Sequence, residues 1–357
     1  MTDVRSLSEQ PASPLLTIAI PTWNRATYLE RNLAQLRSEM QGVSLSAVEV
    51  LVSDNCSPDA TPSVVAKATQ CGLPMRYVRN AENIGWGRNF AQCFDLARGK
   101  YVLLLGDDDL LVDGALRLLL ARLAGKEYGV VCLRPYGFDA DFRHEFPGRY
   151  GGERSFGDAA EFLMAIGPLM TLISSCVVNR RFLAGVDTKQ NASGDLAALP
   201  LVLRAALAAD ENLFIDKYLI ASKRNNSFAY EYSQVFVDEM WRIIDAHVPM
   251  GLGRDAIRIL ERNMLLSYYP YYLLDVRIHR RSDLKVAHQN FARRFRGRWL
   301  FEYWLAPIIR WPRPLAIVWG SAATLVGRAL GGELRRGIVF VWSRLKRSLA
   351  SKGAKTS

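Results

Sequence analysis

The sequence predicts an α/β fold, a doubly wound and mostly parallel sheet followed by a helical, basic C-terminal extension. Three observations carry that prediction. Short apolar, β-branched runs at 15–20, 48–52 and 101–105 alternate with segments of helical spacing, and each run ends in polar residues. From residue 277 to 357 the chain then changes character, with 18 Lys+Arg against 3 Asp+Glu.

Residues 1–14, MTDVRSLSEQPASP, lack the charged-then-apolar order of a signal peptide, and their Pro and Ser predict a flexible leader. Leu15 to Ile20 reads as a buried strand stopped by Pro21, and Val48 to Val52 as a second, stopped by Ser53-Asp54-Asn55. Between them, Ala26 to Met40 sets Leu29, Leu33 and Leu36 at helical spacing, with Thr22 or Asn24 placed to cap it. Pro62 to Cys71 (helix), Met75 to Arg79 (strand), Trp86 to Arg98 (helix) and Tyr101 to Leu105 (strand) continue the alternation. Farther on, strands are expected at 128–133, 172–179 and 213–220, with helices at 158–166 and 196–207. The domain is drawn over 15–230, in halves 15–120 and 121–230, and the helical region over 231–357, basic from 277.

In such sheets ligands sit outside the carboxyl ends of the strands. Those positions hold Pro21-Thr22-Trp23-Asn24-Arg25, Ser53-Asp54-Asn55-Cys56-Ser57 and Asp107-Asp108-Asp109. No G-x-G-x-x-G and no G-x-x-x-x-G-K-[ST] follows any strand, so the two commonest nucleotide-phosphate loops are absent. Three consecutive carboxylates at a strand end repel one another, and a divalent cation relieves that repulsion directly; oxygen ligands favour Mg²⁺ or Mn²⁺.

The runs IPTWNRATYL, VEVLVSDNCSPDAT and NAENIGWGRNFAQCFDLARGKYVLLLGDDDLL together resemble the nucleotide-sugar-binding half of glycosyltransferase family 2, which has the GT-A fold. The likeness covers roughly residues 15 to 120. With Gly106 ahead of the Asp triplet, the chain is most similar to bacterial O-antigen sugar transferases of the abequosyltransferase type. The resemblance implies that Pro21 and Asn24 shape the loop under the nucleotide, that Asp54 hydrogen-bonds the base, and that Asn83 and Arg88 flank base and ribose. It makes Asp107 and Asp109 the DxD pair, one near the ribose and one on a metal bridging the diphosphate, with Asp108 sharing either task. The family often carries an Asp where this chain has Gly106.

An inverting transfer needs a general base for the acceptor hydroxyl, supplied in this family by an Asp or Glu of the second half. Asp195 is the choice, in Ala192-Ser193-Gly194-Asp195-Leu196 ahead of a helix, with Asp187 as the alternative. Lys223-Arg224-Asn225-Asn226 reads as a basic turn after a strand, and the four histidines show no metal-ligand spacing.

The net charge of +11 is localised, because residues 1–276 hold 28 Lys+Arg against 32 Asp+Glu. That distribution excludes a protein coated for nucleic acid and predicts one local anionic contact. Arginines interleave with Trp299, Trp304, Trp311 and Trp319, and residues 334–349 divide on a helical wheel into apolar and basic faces, a pattern of helices lying on an anionic membrane surface. No run reaches the ~18–20 apolar residues of a spanning helix. Five cysteines without a C-x-x-C pair predict free thiols in a reducing compartment.

The expected protein is a metal-dependent inverting glycosyltransferase, cytoplasmic and peripheral at the inner face of the cell membrane. It would move a sugar from a nucleotide-diphosphate donor to a polyprenyl-diphosphate-linked glycan in O-antigen or other surface polysaccharide synthesis. The alternatives are a nucleotidyltransferase, disfavoured because PTWNR replaces a G-G-x-G-T-R-L type loop, and a nucleic-acid-binding protein acting through the basic end, for which no RNA-binding signature is present.

Overall fold

A computed structural model describes residues 13–148, 151–188, 194–224, 231–279 and 283–330. The chain forms two compact units, 1–227 and 228–357. The amphipathic wheel at 334–349, Asn225, Asn226 and most of the leader lie outside the described residues.

In the first unit the order is β1 (Leu16–Thr22), α1 (Ala26–Glu39), β2 (Val48–Asp54), α2 (Thr61–Gln70), β3 (Arg76–Arg79), α3 (Trp86–Leu96) and β4 (Tyr101–Leu104). It continues with β5 (Leu110–Leu111), α4 (Ala115–Gly125), β6 (Val130–Phe138), β7 (Glu153–Phe156), α5 (Ala159–Ile166), β8 (Cys176–Asn179), α6 (Leu199–Ala208) and β9 (Asn212–Lys223). The strands form one sheet in the order β3-β2-β1-β4-β8-β6-β9-β5, with β7 on β9. The pairs among β3, β2, β1 and β4 are parallel, as is β6 with β9; β8 runs antiparallel to both β4 and β6. The core is the apolar strand residues with one face of α1, where Leu29, Leu33 and Leu36 are buried at the predicted spacing.

Several boundaries differ from the sequence reading for physical reasons. The first strand does not stop at Pro21 but runs through it to Thr22, in register with Ser53 and Asp54. The Ala19 carbonyl faces β4 by accepting from Leu105, and the Thr22 carbonyl faces β2 by accepting from Asn55. Pro21 therefore turns its missing N–H toward β4, whose pairing has ended at Ala19, and no ladder bond is lost. Neither Thr22 nor Asn24 caps α1, because Thr22 is still in the strand and Arg25 holds the N-cap position without a side-chain bond. The 172–179 segment begins with a 3-10 turn, Ile173–Ser175, before β8. The 196–207 helix begins only at Leu199.

The second unit is helical among its described residues: α7 (Met240–Ala246), α8 (Arg254–Asn263), α9 (Tyr269–His279), α10 (Leu284–Phe295), α11 (Ala306–Arg310) and α12 (Arg313–Leu330). Its core is aromatic, built on Trp241, Tyr269, Phe291, Phe295 and Phe301. The Trp241 indole donates to Tyr269 Oη, which donates to the Phe236 carbonyl, so both buried polar tips are satisfied. No described helix is long and apolar enough to cross a membrane. Cys93, Cys132 and Cys176 are buried, Cys56 partly so and Cys71 exposed, all as free thiols.

Candidate functional site

The parallel strands deliver three loops to one end of the sheet, and hydrogen bonds tie the loops together. After β1 and β2, the Asn24 amide donates to Ser57 Oγ at 2.9 Å and the Ala26 amide to Asp59 Oδ2 at 2.8 Å. Two non-glycine residues hold positive φ in the described chain, Asn24 at 55° and Cys56 at 62°, and both lie in these loops. Left-handed backbone at such residues is retained where the surroundings enforce it, typically at ligand sites.

The third loop carries the carboxylates. Asp107 and Asp108 are almost fully buried, and Asp109 keeps some accessible surface. Asp107 accepts from Thr22 Oγ1 at 2.8 Å and pairs with Arg25 Nε at 3.1 Å, while Asp108 pairs with Arg25 Nη2 at 2.5 Å. Asp109 turns toward the end of β9, accepting from the Lys223 amide at 3.2 Å. Burial pushes the Asp107 carboxyl up to about 7 against the pull of Arg25, with Asp108 adding to the rise. Burial and the neighbouring Asp108 raise Asp109 to about 7 as well, opposed by Ser174, the Lys223 amide and Ser222.

The loop backbone is held from both faces. Asn32, on the buried face of α1, donates to the carbonyls of Gly106 at 3.1 Å and Asp109 at 2.7 Å. The Gly106 amide donates to Ser174 Oγ at 2.9 Å. A Cβ at residue 106 would stand 3.2 Å from Asp108 Oδ1 and 3.3 Å from Asp109 Oδ2, so the space a side chain would need is filled by the triplet itself.

Asp54 has no accessible surface. Its Oδ1 accepts from the Ser57 amide at 2.9 Å, and its Oδ2 from Tyr77 Oη at 2.6 Å with Arg79 Nε at 3.3 Å. Burial, and the Asp54 carboxylate behind it, hold the Tyr77 phenol well above its ordinary range. Asn55 links this hub to the segment before α3 by donating to Asn83 Oδ1 at 2.7 Å and accepting from the Ile84 amide at 2.9 Å. Asn83 is exposed, and Arg88 is exposed on the first turn of α3 with no carboxylate beside it among the described residues.

Asp195 and Asp187 are both exposed. Gly129, just before β6, packs against Ala205 and Ala209 at the end of α6. Because β8 is antiparallel to β4 and β6, that contact lies where β4 begins, so α6 starts toward the end that carries the triplet, with Asp195 four residues ahead of that start. Thr188 instead donates to Asp95 at 2.6 Å, in the last turn of α3, and with Val186, Arg98, Lys100, Arg180 and Arg181 lines an open groove of about 620 Å³ where β4 begins. Asp187 is therefore not gathered to the triplet. Arg224 turns away to Asp139 at 3.0 Å and Glu145 at 3.3 Å, so it is already paired.

Sequence reading missed Thr22, Arg25, Asn32 and Ser174. Asn32 had a signal, a polar residue set among Leu29, Leu33 and Leu36 on the apolar face of a helix. Ser174 had none, since only the tertiary fold brings the turn before β8 under Gly106.

The residues suit a divalent cation in their donor type and charge, three hard carboxylates largely out of water against one guanidinium. They do not form an all-protein cage: no convergent group of three ligands occurs among the described residues. A cation held by one or two of the carboxylates, with a ligand's phosphates completing its shell, is the arrangement that fits.

The model of glycosyl transferase family 2 matches residues 17–185. The abequosyltransferase RfbV of Salmonella typhimurium is 33% identical over 121 residues, 34% of this chain and 36% of the relative. The GalNAc(5)-diNAcBac-PP-undecaprenol beta-1,3-glucosyltransferase of Campylobacter jejuni is 30% identical over 176 residues, 47% of this chain and 55% of the relative. The chain thus spans between a third and about half the length of these relatives. In fold it is similar to S. aureus TarS 1–349 solved with UDP-GlcNAc (TM-score 0.54, 15% identity, 93% of this chain and 91% of that one). It is likewise similar to the mannosyltransferase PcManGT of Pyrobaculum calidifontis, solved with GDP-Man and Mn²⁺ (TM-score 0.52, 15% identity, 96% and 89%). The sheet is similar to that of GT-A glycosyltransferase structures, and residues 17–185, just under half of the chain, match glycosyl transferase family 2.

Proposed function

We propose that this protein is an inverting glycosyltransferase that takes a sugar from a nucleotide-diphosphate donor and adds it to a polyprenyl-diphosphate-linked glycan in surface-polysaccharide synthesis of the O-antigen type. The observation that carries the reading is the buried Asp107–Asp109 triplet, braced by Thr22, Arg25, Asn32 and Ser174 at the carboxyl ends of β1 and β4, within the span of the family match. The nucleotide would lie along the loops after β1 and β2, between Pro21, Asn24 and Asp54 on one side and Asn83 and Arg88 on the other. Arg88 offers an exposed cation, whereas Asp54 acts through the Ser57 amide and Tyr77 that it holds. The relative that acts on an undecaprenol-linked glycan supports the lipid-linked acceptor.

Mg²⁺ or Mn²⁺ would be held by Asp107 with Asp109 or Asp108, and when bound it stabilises the charge developing on the leaving diphosphate. Thr22 and Arg25 keep the Asp107 carboxylate oriented, and Asn32 fixes the backbone that carries all three. Asp195, ahead of the helix that starts toward the same end of the sheet, would take the acceptor hydroxyl proton. The basic C-terminal region would hold the enzyme at the anionic inner face of the cell membrane, where such an acceptor resides.

The test is a panel of nucleotide sugars screened for thermal stabilisation of the full chain, with and without Mn²⁺, because a bound ligand raises Tm by mass action. One nucleotide class should raise Tm, and more so with metal. No shift from any member in either condition would remove the reading.

A further inference from the structure

The last described helix is built with two incompatible-looking faces, neither of them polar. One face of α12 is made of small residues: Ala316, Gly320, Ala323, Thr324 and Gly327 are buried. A Cβ at residue 320 would stand 3.3 Å from Leu274 Cδ1, and one at residue 327 would stand 2.8 Å from Ser267 Cα, so these glycines let α12 lie close against α9 and the turn before it. The other face carries Leu315 (58% exposed), Val318 (70%), Ala322, Val326 (46%) and Leu330 (70%). At ~100° per residue these five fall within about 120° of arc. An ordinary surface helix puts charge on that side.

The surroundings fix what such a face would meet. From Tyr303 to Leu330 the chain has no Asp or Glu, and its three arginines turn to the protein: Arg310 to Glu302, Arg313 to the Arg277 and Ile278 carbonyls, and Arg328 to the face of Tyr271. Trp299 (68% exposed), Tyr303 (74%) and Trp311 (44%) stand bare nearby in the same unit. Trp304 and Trp319, read from sequence with the other two as boundary residues, are instead packed together: the Trp319 indole donates to the Trp304 carbonyl at 2.9 Å and the rings meet edge-on at 5.6 Å. So only Trp299 and Trp311 of the four are left for a boundary.

We propose that the exposed face of α12 lies in the plane of an anionic bilayer, with Leu315, Val318, Val326 and Leu330 among the acyl chains and the exposed aromatics at headgroup level. The inference rests on the membrane-face reading above and assigns it to a surface other than residues 334–349. Charge decides among occupants. Residues 277–330 hold 11 Lys+Arg against 2 Asp+Glu and residues 331–357 seven against one, so a second copy or the chain's own tail would set one basic segment against another, whereas an anionic bilayer complements both. At 18 residues bounded by arginines, α12 suits an in-plane rather than a spanning position.

The test is flotation of the full chain with phosphatidylcholine vesicles, alone or with about one third phosphatidylglycerol. Wild type should float with the anionic vesicles, and Val318→Asp/Val326→Asp should float at least about tenfold less, with Tm and nucleotide-sugar stabilisation unchanged because the side chains are exposed. The uncharged Leu315→Ser/Leu330→Ser should lose binding too, whereas Val318→Leu/Val326→Leu should keep it. Equal flotation of the Asp variant and wild type overturns the proposal, as does loss of flotation only on removing residues 331–357. A wild-type dimer that the Asp variant breaks, with neither protein floating, assigns the face to a second copy and overturns it as well. Nucleotide-sugar binding is read separately, so a failure here leaves the donor reading standing.

Discussion

The guanidinium of Arg25 lies between the carboxylates of Asp107 and Asp108, 3.1 Å from one and 2.5 Å from the other. Arg25 leaves β1 as the N-cap residue of α1, and its ring-face contact with Tyr28 at 4.7 Å fixes its direction. The first loop of the sheet thus supplies the positive charge that the third loop lacks. Removing one partner of a buried pair leaves an uncompensated charge, so Arg25→Gln should cost about 3 kcal/mol of stability. Mn²⁺ should then restore more Tm to the variant than it adds to wild type, since the cation takes over the neutralising role. Equal Mn²⁺ shifts in the two proteins would show that Arg25 and metal do not act on the same carboxylates.

Gly106 stands where a side chain would enter the triplet. Asp at this position, as the family often has it, would put a Cβ within 3.2 Å of Asp108 Oδ1 and a fourth carboxylate among three that are already crowded. Gly106→Asp should lower Tm and abolish the stabilisation by nucleotide sugar. Gly106→Ala, which adds the contact without the charge, should keep part of it; a fully active Gly106→Asp would mean that the loop has another stable arrangement.

Asn32 donates one amide group to two carbonyls of the same loop. Asn32→Leu keeps the volume but leaves both carbonyls short of a buried donor, at a cost of about 1–3 kcal/mol. Turnover should fall further than this stability loss explains, because the carboxylates ride on that backbone. Urea unfolding paired with kcat at a temperature where the variant stays folded separates the two effects.

How much of this was legible in sequence depended on whether a signal was local. Apolar runs and the 29–33–36 spacing fixed the strands and α1 because burial of one face dictates period. The triplet, PTWNR and SDNCS were readable because they lie at or just beyond the carboxyl ends of strands. The brackets around them were not: Ser174 is 68 residues from the Gly106 amide it receives, and nothing in a linear pattern links them. Pro21 misled for a related reason, since whether a proline ends a strand depends on which neighbour its missing N–H faces. The exposed side of α12 was equally hidden, because an apolar helical run looks the same whether a second layer covers it or not.

The two candidate bases give the last prediction, because the sheet separates what sequence left together. Asp195 precedes α6, whose far end packs on Gly129 where β4 begins, so the helix it leads into starts toward the end that carries Asp107. Asp187 adjoins Thr188, which is bonded to Asp95 at the other end. A base must reach the acceptor oxygen directly or through one water, which a residue on the far side of the sheet does not do. Asp195→Asn should therefore keep nucleotide-sugar stabilisation and lose transfer by on the order of 10²–10⁴ fold, while Asp187→Asn should leave turnover within about threefold of wild type, the scatter expected of a surface substitution. A loss confined to Asp187→Asn would mean that the acceptor approaches from the basic groove lined by Lys100 and Arg180, and the direction of transfer across the sheet would have to be reversed.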